Sequence, residues 1–401
     1  MSAEGGTVAS GPRVAVVGGG IGGLTLAIAL RRHGITATVF ERAPELREVG
    51  AAVALAANSN RLLRRIGLGP DIAGISVEPS ALVYRHWREG RILAAHPIGR
   101  DNAYQERFGA PFYGMHRAQL QRILSAAFGT EDLCLDRNVI GLRETSAGIT
   151  IEFDDGDSFD ADIVVGADGV HSTVRSWVTV EQPPVYTRTS GFRGLAPIDA
   201  LPSLPDPSVL QFWVGPDLHL LHYPIAGGLV NFLAVSEGPD VWPTKESTLT
   251  AAPDELATML KGWHPAAVEM VTSVPQSARW ALLHQPALRH WSRGRAVLIG
   301  DAAHAMLPHH GQGANQAVED AVVLARCIVD APTNEHTAAF ERYQRLRRSR
   351  TRKIQHASLA TSPLLHIPDG ESTIARDAVF TDVPARIDWI HGHDAWPAAT
   401  I

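Results

Sequence analysis

Cysteine is scarce: a chain of 401 residues holds only Cys134 and Cys327. Two thiols are too few for a disulfide framework and suit a reducing compartment. No apolar run approaches the ~20 residues that a membrane span requires. Residues 1–12 are small and polar, without an apolar stretch of signal-peptide length, and predict a flexible tail. The net charge is −6 and no basic stripe stands out, which argues against a nucleic-acid partner. The one basic run, residues 342–353, sits on the helical spacing of Tyr343, Leu346 and Ile354 and reads as a solvated helix face. The histidine clusters His304…His309-His310 and His391-x-His393-Asp394 match no metal-ligand spacing, so no metal is expected. With 45% hydrophobic and 19% charged residues, the chain has enough apolar sequence for a large core, organised as two interleaved lobes. The expectation is a cytoplasmic monomer or homodimer with neither nucleic-acid nor membrane partners.

Glycine, by contrast, is present where it counts. The apolar run Val14-Ala15-Val16-Val17 has the texture of a buried parallel strand and flows into Gly18-x-Gly20-x-x-Gly23 and a helix over residues 24–32. Gly18 permits the tight turn, Gly20 lets a pyrophosphate approach the backbone, and Gly23 lets helix and strand pack closely. A second strand, residues 37–40, ends at Glu41, about 20 residues on, where a carboxylate meets ribose hydroxyls. Much later, an apolar strand over residues 296–299 ends in Gly300-Asp301, and Gly311-Gln312-Gly313-Ala314-Asn315 opens an alanine-rich helix. That order sets a carboxylate at a strand's C-terminal end. It also sets the positive end of a helix where an electron-rich ring can rest. Between the two lies Gly166-Ala167-Asp168-Gly169.

Glu41 alone does not choose between nicotinamide and flavin dinucleotides, since both carry an adenosine ribose. The three motifs together do. With Gly18 to Gly23 and Glu41-Arg42, Asp168-Gly169-Val170-His171-Ser172-Thr173-Val174-Arg175, and Gly300-Asp301 with its glycine-bearing helix, the chain resembles the single-component FAD-dependent aromatic hydroxylases of the p-hydroxybenzoate hydroxylase fold. Within them it is most similar to the salicylate and 3-hydroxybenzoate hydroxylase branch, over nearly its whole length from Arg13. The resemblance implies an α/β fold, a Rossmann-type FAD-binding domain interleaved with a β-sheet substrate domain, plus C-terminal helices. Residues 13–80, 101–178 and 286–330 would form the first, 81–100 and 179–285 the second, and 331–401 the helical end.

The resemblance also implies roles. Glu41 and Arg42 would hold the adenosine ribose of non-covalent FAD, and Arg117, in His116-Arg117-Ala118-Gln119-Leu120, would lie along the cofactor. Asp168 would serve FAD and the visiting nicotinamide, and Asp301 the ribityl or pyrophosphate end. The backbone of Gly311, Gly313, Ala314 and Asn315 would meet the flavin N1–C2=O edge, where reduction places charge that a helix N-terminus stabilises. NADH or NADPH would visit only transiently, because no second dinucleotide fingerprint exists. O2 would be activated as a flavin C4a-hydroperoxide, and the substrate, a small phenolic or heteroaromatic acid, would react as its phenolate in a water-poor pocket.

The substrate lobe reads as proline-punctuated β-structure: strands over residues 209–214, 218–223 and 229–235, and a helix over 254–262. Further helices are predicted over 59–66 and 116–128, and strands over 149–153 and 163–165. Period-two alternation puts His219, Leu221 and Tyr223 on one face of their strand and His222 on the other. His219 and Tyr223 are the expected catalytic pair for moving the phenol proton. Leu221, Pro308, His309 and His310 would complete the pocket.

Two departures from the family pattern bear on the substrate. Many relatives have a second glycine at Ala52, in the loop of residues 49–54 beside the ring, and relatives usually have proline at Ala57, before Asn58. Flavin halogenases share the first motif but need a Trp-x-Trp-x-Ile-Pro signature that this chain lacks. The remaining alternatives are a flavin-dependent epoxidase or hydroxylase of a larger polyketide-like or terpenoid ring, and a flavin-binding protein without turnover.

Overall fold

Short apolar strands with little side-chain alternation form parallel sheets only when helices cover both faces, and the first sheet is built this way. In the computed structural model, which describes residues 11–46, 52–180, 183–275, 278–332 and 335–398, Val14–Val17 pairs in parallel with Ala37–Phe40 on one side and Ile163–Gly166 on the other. Ile163–Gly166 pairs in turn with Ala296–Leu298. Leu133–Cys134 and Ser292–Arg293 complete a six-stranded sheet, in which Ser292–Arg293 alone runs antiparallel to its neighbour. Because the central strands are parallel, their C-terminal ends share one edge. Gly18, Ala167 and Gly300, remote in sequence, converge there.

The second sheet has eight strands in the order Thr248–Thr250, Ala278–His284, Val185–Pro197, Leu229–Glu237, Leu218–Ile225, Leu210–Gly215, Ala81–His86 and Ile92–Pro97. Both its faces are covered. Leu218, Leu220, Trp213 and Phe232 pack with Ala266 and Met270 of the helix Pro265–Thr272. Tyr84, Phe212 and Tyr223 pack with Phe112, Leu365 and Phe380 on the opposite face. The alternation predicted along residues 218–223 is realised in that division. Leu221 and Tyr223 face the C-terminal helices, while His222 faces away and its Nε2 meets the Gln211 amide at 3.1 Å.

Other elements shift at their ends. The first helix starts at Ile21 rather than residue 24, the second spans Ala57–Arg65, and the helix expected over 254–262 contracts to Glu255–Met259. The tail and the 49–51 part of the ring-side loop lie outside the described residues, except for Gly11 and Pro12. Cys134 and Cys327 are free thiols. Among the described residues no helix is long and apolar enough to cross a membrane.

The solvated basic helix holds at Arg345, Arg348, Arg352 and Lys353 and is corrected at Arg347 and Arg350. The helix His336–Leu364 turns Tyr343, Arg347, Thr351 and Ile354 inward. There Arg347, 1% exposed at its side chain, pairs with Glu319 and, at 2.7 Å, with Asp320 of the helix Gly313–Asp330. Arg350 Nε meets Glu319 at 2.8 Å. Two of the seven cations in the run, Arg347 and Arg350, therefore belong to an ionic core, because the 3.6-residue period carries them past acids that sit on a different helix. Arg345, Arg348 and Arg352 do face solvent and line a separate polar groove of about 690 Å³.

Candidate active site

The first glycine turn is held by contacts that forbid side chains. Gly18 has φ +111°, and a Cβ there would collide with the Ala167 carbonyl; one at Gly23 would collide with the Gly18 carbonyl. Gly20 is the opposite case, since a Cβ there would meet nothing within 4 Å and would project into open space. That space is a channel of about 310 Å³ bordered by Gly20 to Gly22, Ala52 to Ala54, Arg117, Asp301 and Gly311 to Ala314. Glu41 Oε2 accepts from Gly19 N at 2.8 Å and Oε1 from Ala43 N at 3.0 Å, so the carboxylate braces the turn. Gln121 Nε2 donates to the Gly19 carbonyl at 3.0 Å and fixes it from the other side, a role that sequence spacing gave no sign of.

The third motif supplies the opposite wall. Gly300 and Gly311 both have φ +60°, the left-handed region that favours glycine. Asp301 opens onto the channel, and the long helix begins at Gly313 with its first N–H groups at the same wall. Gly311 and Gly313 leave the channel side clear: hypothetical Cβ atoms would come no closer than 3.9 and 3.8 Å to another residue. Asn315 does not border the channel. Its side chain accepts from Ala56 N at 2.8 Å and donates to the Ala54 and Gly311 carbonyls at 3.0 and 2.6 Å, clipping the loop to the neighbouring strand. Gln312 does border it, with its Oε1 engaged by Asn58 and Gln316 and its buried Nε2 left without a partner. Asp320 anchors the motif from beneath, accepting from Gly300 N at 2.9 Å and holding His304 Nε2 at 2.5 Å.

Asp168 is placed differently from Asp301. Its carboxylate accepts from Ser172 Oγ and Val174 N, tying the loop to the helix Thr173–Val178, while its neighbours Ala167 and Gly169 line the channel. Burial nonetheless raises its pKa. Arg42 is exposed at the end of its strand, outside the channel lining. Arg117 starts its helix after His116, whose Nδ1 caps Ala118 N at 3.2 Å, and it borders the channel together with Asp301. Arg193 was missed by the sequence reading because nothing marks it within its strand. It borders the channel as an exposed residue, with its guanidinium over the Trp280 ring at 5.4 Å and near Tyr223.

A second, mostly apolar cavity of about 240 Å³ adjoins the channel. Ala54, Leu221, Tyr223, Pro308 and Gly311 belong to both. Its walls come from the eight-stranded sheet (Leu82, Tyr84, Phe212), from the turn Pro308–His310 and from the C-terminal helices (Phe380, Val383, Ile387). His309 and His310 line it; His219 does not, lying one layer behind. The His219 ring stands 5.2 Å from that of His309 and its Nδ1 meets His366 Nε2 at 2.8 Å. His309 is buried with both ring nitrogens lacking partners, and burial lowers its pKa to about 3. Burial likewise holds His219 well below the usual imidazole range and pushes the Tyr223 hydroxyl up. The departure at Ala57 has a consequence here: its N–H donates to Tyr104 OH at 3.2 Å, which proline could not do, and Tyr104 OH in turn meets His391 Nδ1 at 2.9 Å. Both of those side chains line the apolar cavity.

The open cradle at Gly20, the orphan Gln312 Nε2 and the helix N-terminus at Gly313 fit a flavin dinucleotide, whose diphosphate and ring edge are acceptor-rich. Comparison with known proteins agrees. A family model described as FAD binding domain matches residues 12–358. The 3-amino-4-hydroxybenzoate 2-monooxygenase of Streptomyces cremeus is 38% identical over 386 residues, covering 96% of this chain and 95% of that protein. The 6-hydroxynicotinate 3-monooxygenase of Pseudomonas fluorescens is 32% identical over 350 residues, covering 86% and 90%. Among solved structures, a salicylate hydroxylase substrate complex matches with a TM-score of 0.84 at 28% identity, covering 98% of each chain.

Proposed function

The chain belongs to the FAD binding domain family as an FAD-dependent monooxygenase, and we propose that it hydroxylates a small aromatic or heteroaromatic acid already bearing a ring hydroxyl. Its co-substrates are O2 and a reduced nicotinamide. When bound, FAD would supply the hydride acceptor and the oxygen activation that the reaction needs. The rest falls to the chain. Asp301, Arg117 and the N–H groups at Gly313 and Ala314 hold the cofactor in the channel, and the apolar cavity excludes water from the reacting ring.

One observation carries the reading: a buried histidine, His309, offers two unpartnered nitrogens in an apolar cavity that opens onto the cofactor channel. A ring hydroxyl placed there gains a partner that nothing else in the cavity satisfies. Arg193, open to the adjoining channel, supplies a positive charge for an acidic substituent. The similar proteins named above act on 3-amino-4-hydroxybenzoate and 6-hydroxynicotinate, both hydroxylated ring acids. The test is a panel of those two acids, salicylate and larger polycyclic phenols, scored by hydroxylated product per NADH or NADPH consumed. Coupled product from a hydroxylated ring acid is expected; coupling confined to the polycyclic phenols would overturn the proposal.

Asp301→Ala is expected to weaken FAD retention by roughly ten- to hundredfold, because a polar group of the cofactor loses its acceptor at a cost of ~1–3 kcal/mol. Flavin fluorescence in the filtrate after ultrafiltration measures it. Retention equal to the parent protein would remove Asp301 from the binding set.

A further inference from the structure

The apolar cavity has two ends. One shares Ala54, Leu221, Tyr223, Pro308 and Gly311 with the cofactor channel. The other is bounded by exposed residues: Pro97 at the end of its strand, Ala103 and Arg107 on the helix Ala103–Phe108, and Arg386 on the helix Val383–His391. Between the ends the wall is aromatic, with Tyr84 stacked on Phe212 and on Phe380 at ring-centre distances of 5.2 and 4.2 Å. A mostly apolar cavity thus carries two guanidinium groups where it meets solvent. Helical spacing places one of them: Val383, Ile387 and His391 line the cavity from one helix face, and Arg386 falls beside them.

We propose that this solvent end is the port by which the substrate enters, and that Arg107 and Arg386 recognise the carboxylate of an acid there. The proposal rests on the reading of the apolar cavity as the substrate site.

The frame of the port is firm on its inner side. Tyr104 OH meets His391 Nδ1 at 2.9 Å, and Arg61 donates to the carbonyls of Phe108, His391 and His393. Arg350 donates to the Trp389 and Ile390 carbonyls at 3.0 and 2.9 Å, which ties down the C-terminal turn of the second helix. His96 Nε2 meets the Phe380 carbonyl at 2.8 Å and fixes the preceding helix Ser372–Thr381. On the outer side the two framing helices are joined by the ion pair Arg107–Asp388, whose side chains are 52% and 37% exposed. A pair so exposed contributes little in water and exchanges partners readily. The carboxylate of an arriving acid offers Arg107 the same kind of partner, so the acid can replace Asp388 as it enters. A neutral phenol has to break the pair uncompensated. Arg386 is paired with Asp382 at 3.1 Å, both side chains more than half exposed, and offers a second such exchange. The opposite end of the cavity belongs to the cofactor channel, where Arg193 meets an acid that has crossed the aromatic section.

The test uses the FAD-loaded enzyme, Ala103→Trp, which narrows the port, and Arg107→Gln, which removes a cation from its rim. Each protein is mixed rapidly with 3-amino-4-hydroxybenzoate or with 2-aminophenol, the same ring without the carboxylate, near neutral pH at low ionic strength. The flavin absorbance change reports association, and FAD content and melting temperature report folding. Ala103→Trp is expected to slow association of both compounds by about tenfold. Arg107→Gln is expected to slow the acid by about three- to fivefold and to leave 2-aminophenol equal or faster, since the pair no longer has to be broken. Association at the parent rate in Ala103→Trp would overturn the port. Equal slowing of the two compounds by Arg107→Gln would overturn recognition of the carboxylate. His309→Ala, inside the cavity, separates the port from the site, because it is expected to weaken equilibrium binding of the acid by about three- to tenfold. If it does and Ala103→Trp associates at the parent rate, the port alone fails; if neither variant changes binding, the substrate site falls too.

Discussion

Replacing His309 by alanine is expected to leave a folded, yellow protein that consumes nicotinamide and returns hydrogen peroxide in place of product, with hydroxylation slowed by about 10²–10⁴-fold. The size follows from what the ring does in the cavity. Its two nitrogens have no protein partner, its pKa is held down at about 3 by burial, and it is therefore a neutral donor–acceptor at working pH. A substrate hydroxyl bonded there is oriented and has an outlet for its proton; without the ring it has neither. Oxygen activation is set by the cofactor channel, so reductant is still consumed when transfer to the substrate fails. Product per nicotinamide, measured beside a peroxide assay, decides the matter. Unchanged coupling in His309→Ala would show that the histidine only packs the cavity, and attention would pass to His219 and Tyr223.

The largest stability effect is expected from Arg347→Met, a loss of about 3–5 kcal/mol. Arg347 serves both Glu319 and Asp320, each fully buried at its side chain, and it also bonds Gln316 Oε1 at 2.6 Å. Removing it leaves buried carboxylates short of a counter-charge, with only Arg350 on Glu319 and His304 on Asp320 remaining. Thermal unfolding of the holoprotein measures the change. The arginines hold Glu319 below its usual range, and His304 and Arg347 do so for Asp320, against the opposing effect of burial. Their folded pKa values lie below the unfolded ones, so this stabilisation is complete above about pH 5 and is lost as pH falls through the folded values. The variant should accordingly narrow its gap to the parent protein in strong acid. Because Asp320 also holds Gly300 N and His304, weaker FAD retention is expected alongside the lower melting temperature. A melting temperature equal to that of the parent would show that the ionic core is dispensable.

Much was determined by sequence alone, and for a local reason. Strand, glycine turn and helix are neighbours in the chain, so Gly18, Gly20 and Gly23 could be assigned separate tasks from their spacing, and the contacts at Gly18 and Gly23 match those tasks. The same holds for the period-two division of Leu221 and Tyr223 from His222, which is a property of any strand. The helix boundaries were less legible, because the first and last turns depend on what caps them: the helix predicted over 254–262 ends at Met259. Resemblance, rather than spacing, identified the cofactor as FAD.

Only the tertiary structure decided which side chains share a wall. His219 was read as a cavity residue because it shares a face with Tyr223, but a strand face is wider than one cavity, and His309 stands between. Asp168 could not be told apart from Asp301 by its motif; the contacts to Ser172 and Val174 decide its orientation. Arg193 and His366 carry no local signal at all, and they matter through what approaches them from other segments. The basic run shows the limit most plainly. Its helical period was visible, but the acids that bury Arg347 lie on the separate helix Gly313–Asp330, and burial of a charge is a property of the pair, which no single stretch of sequence contains.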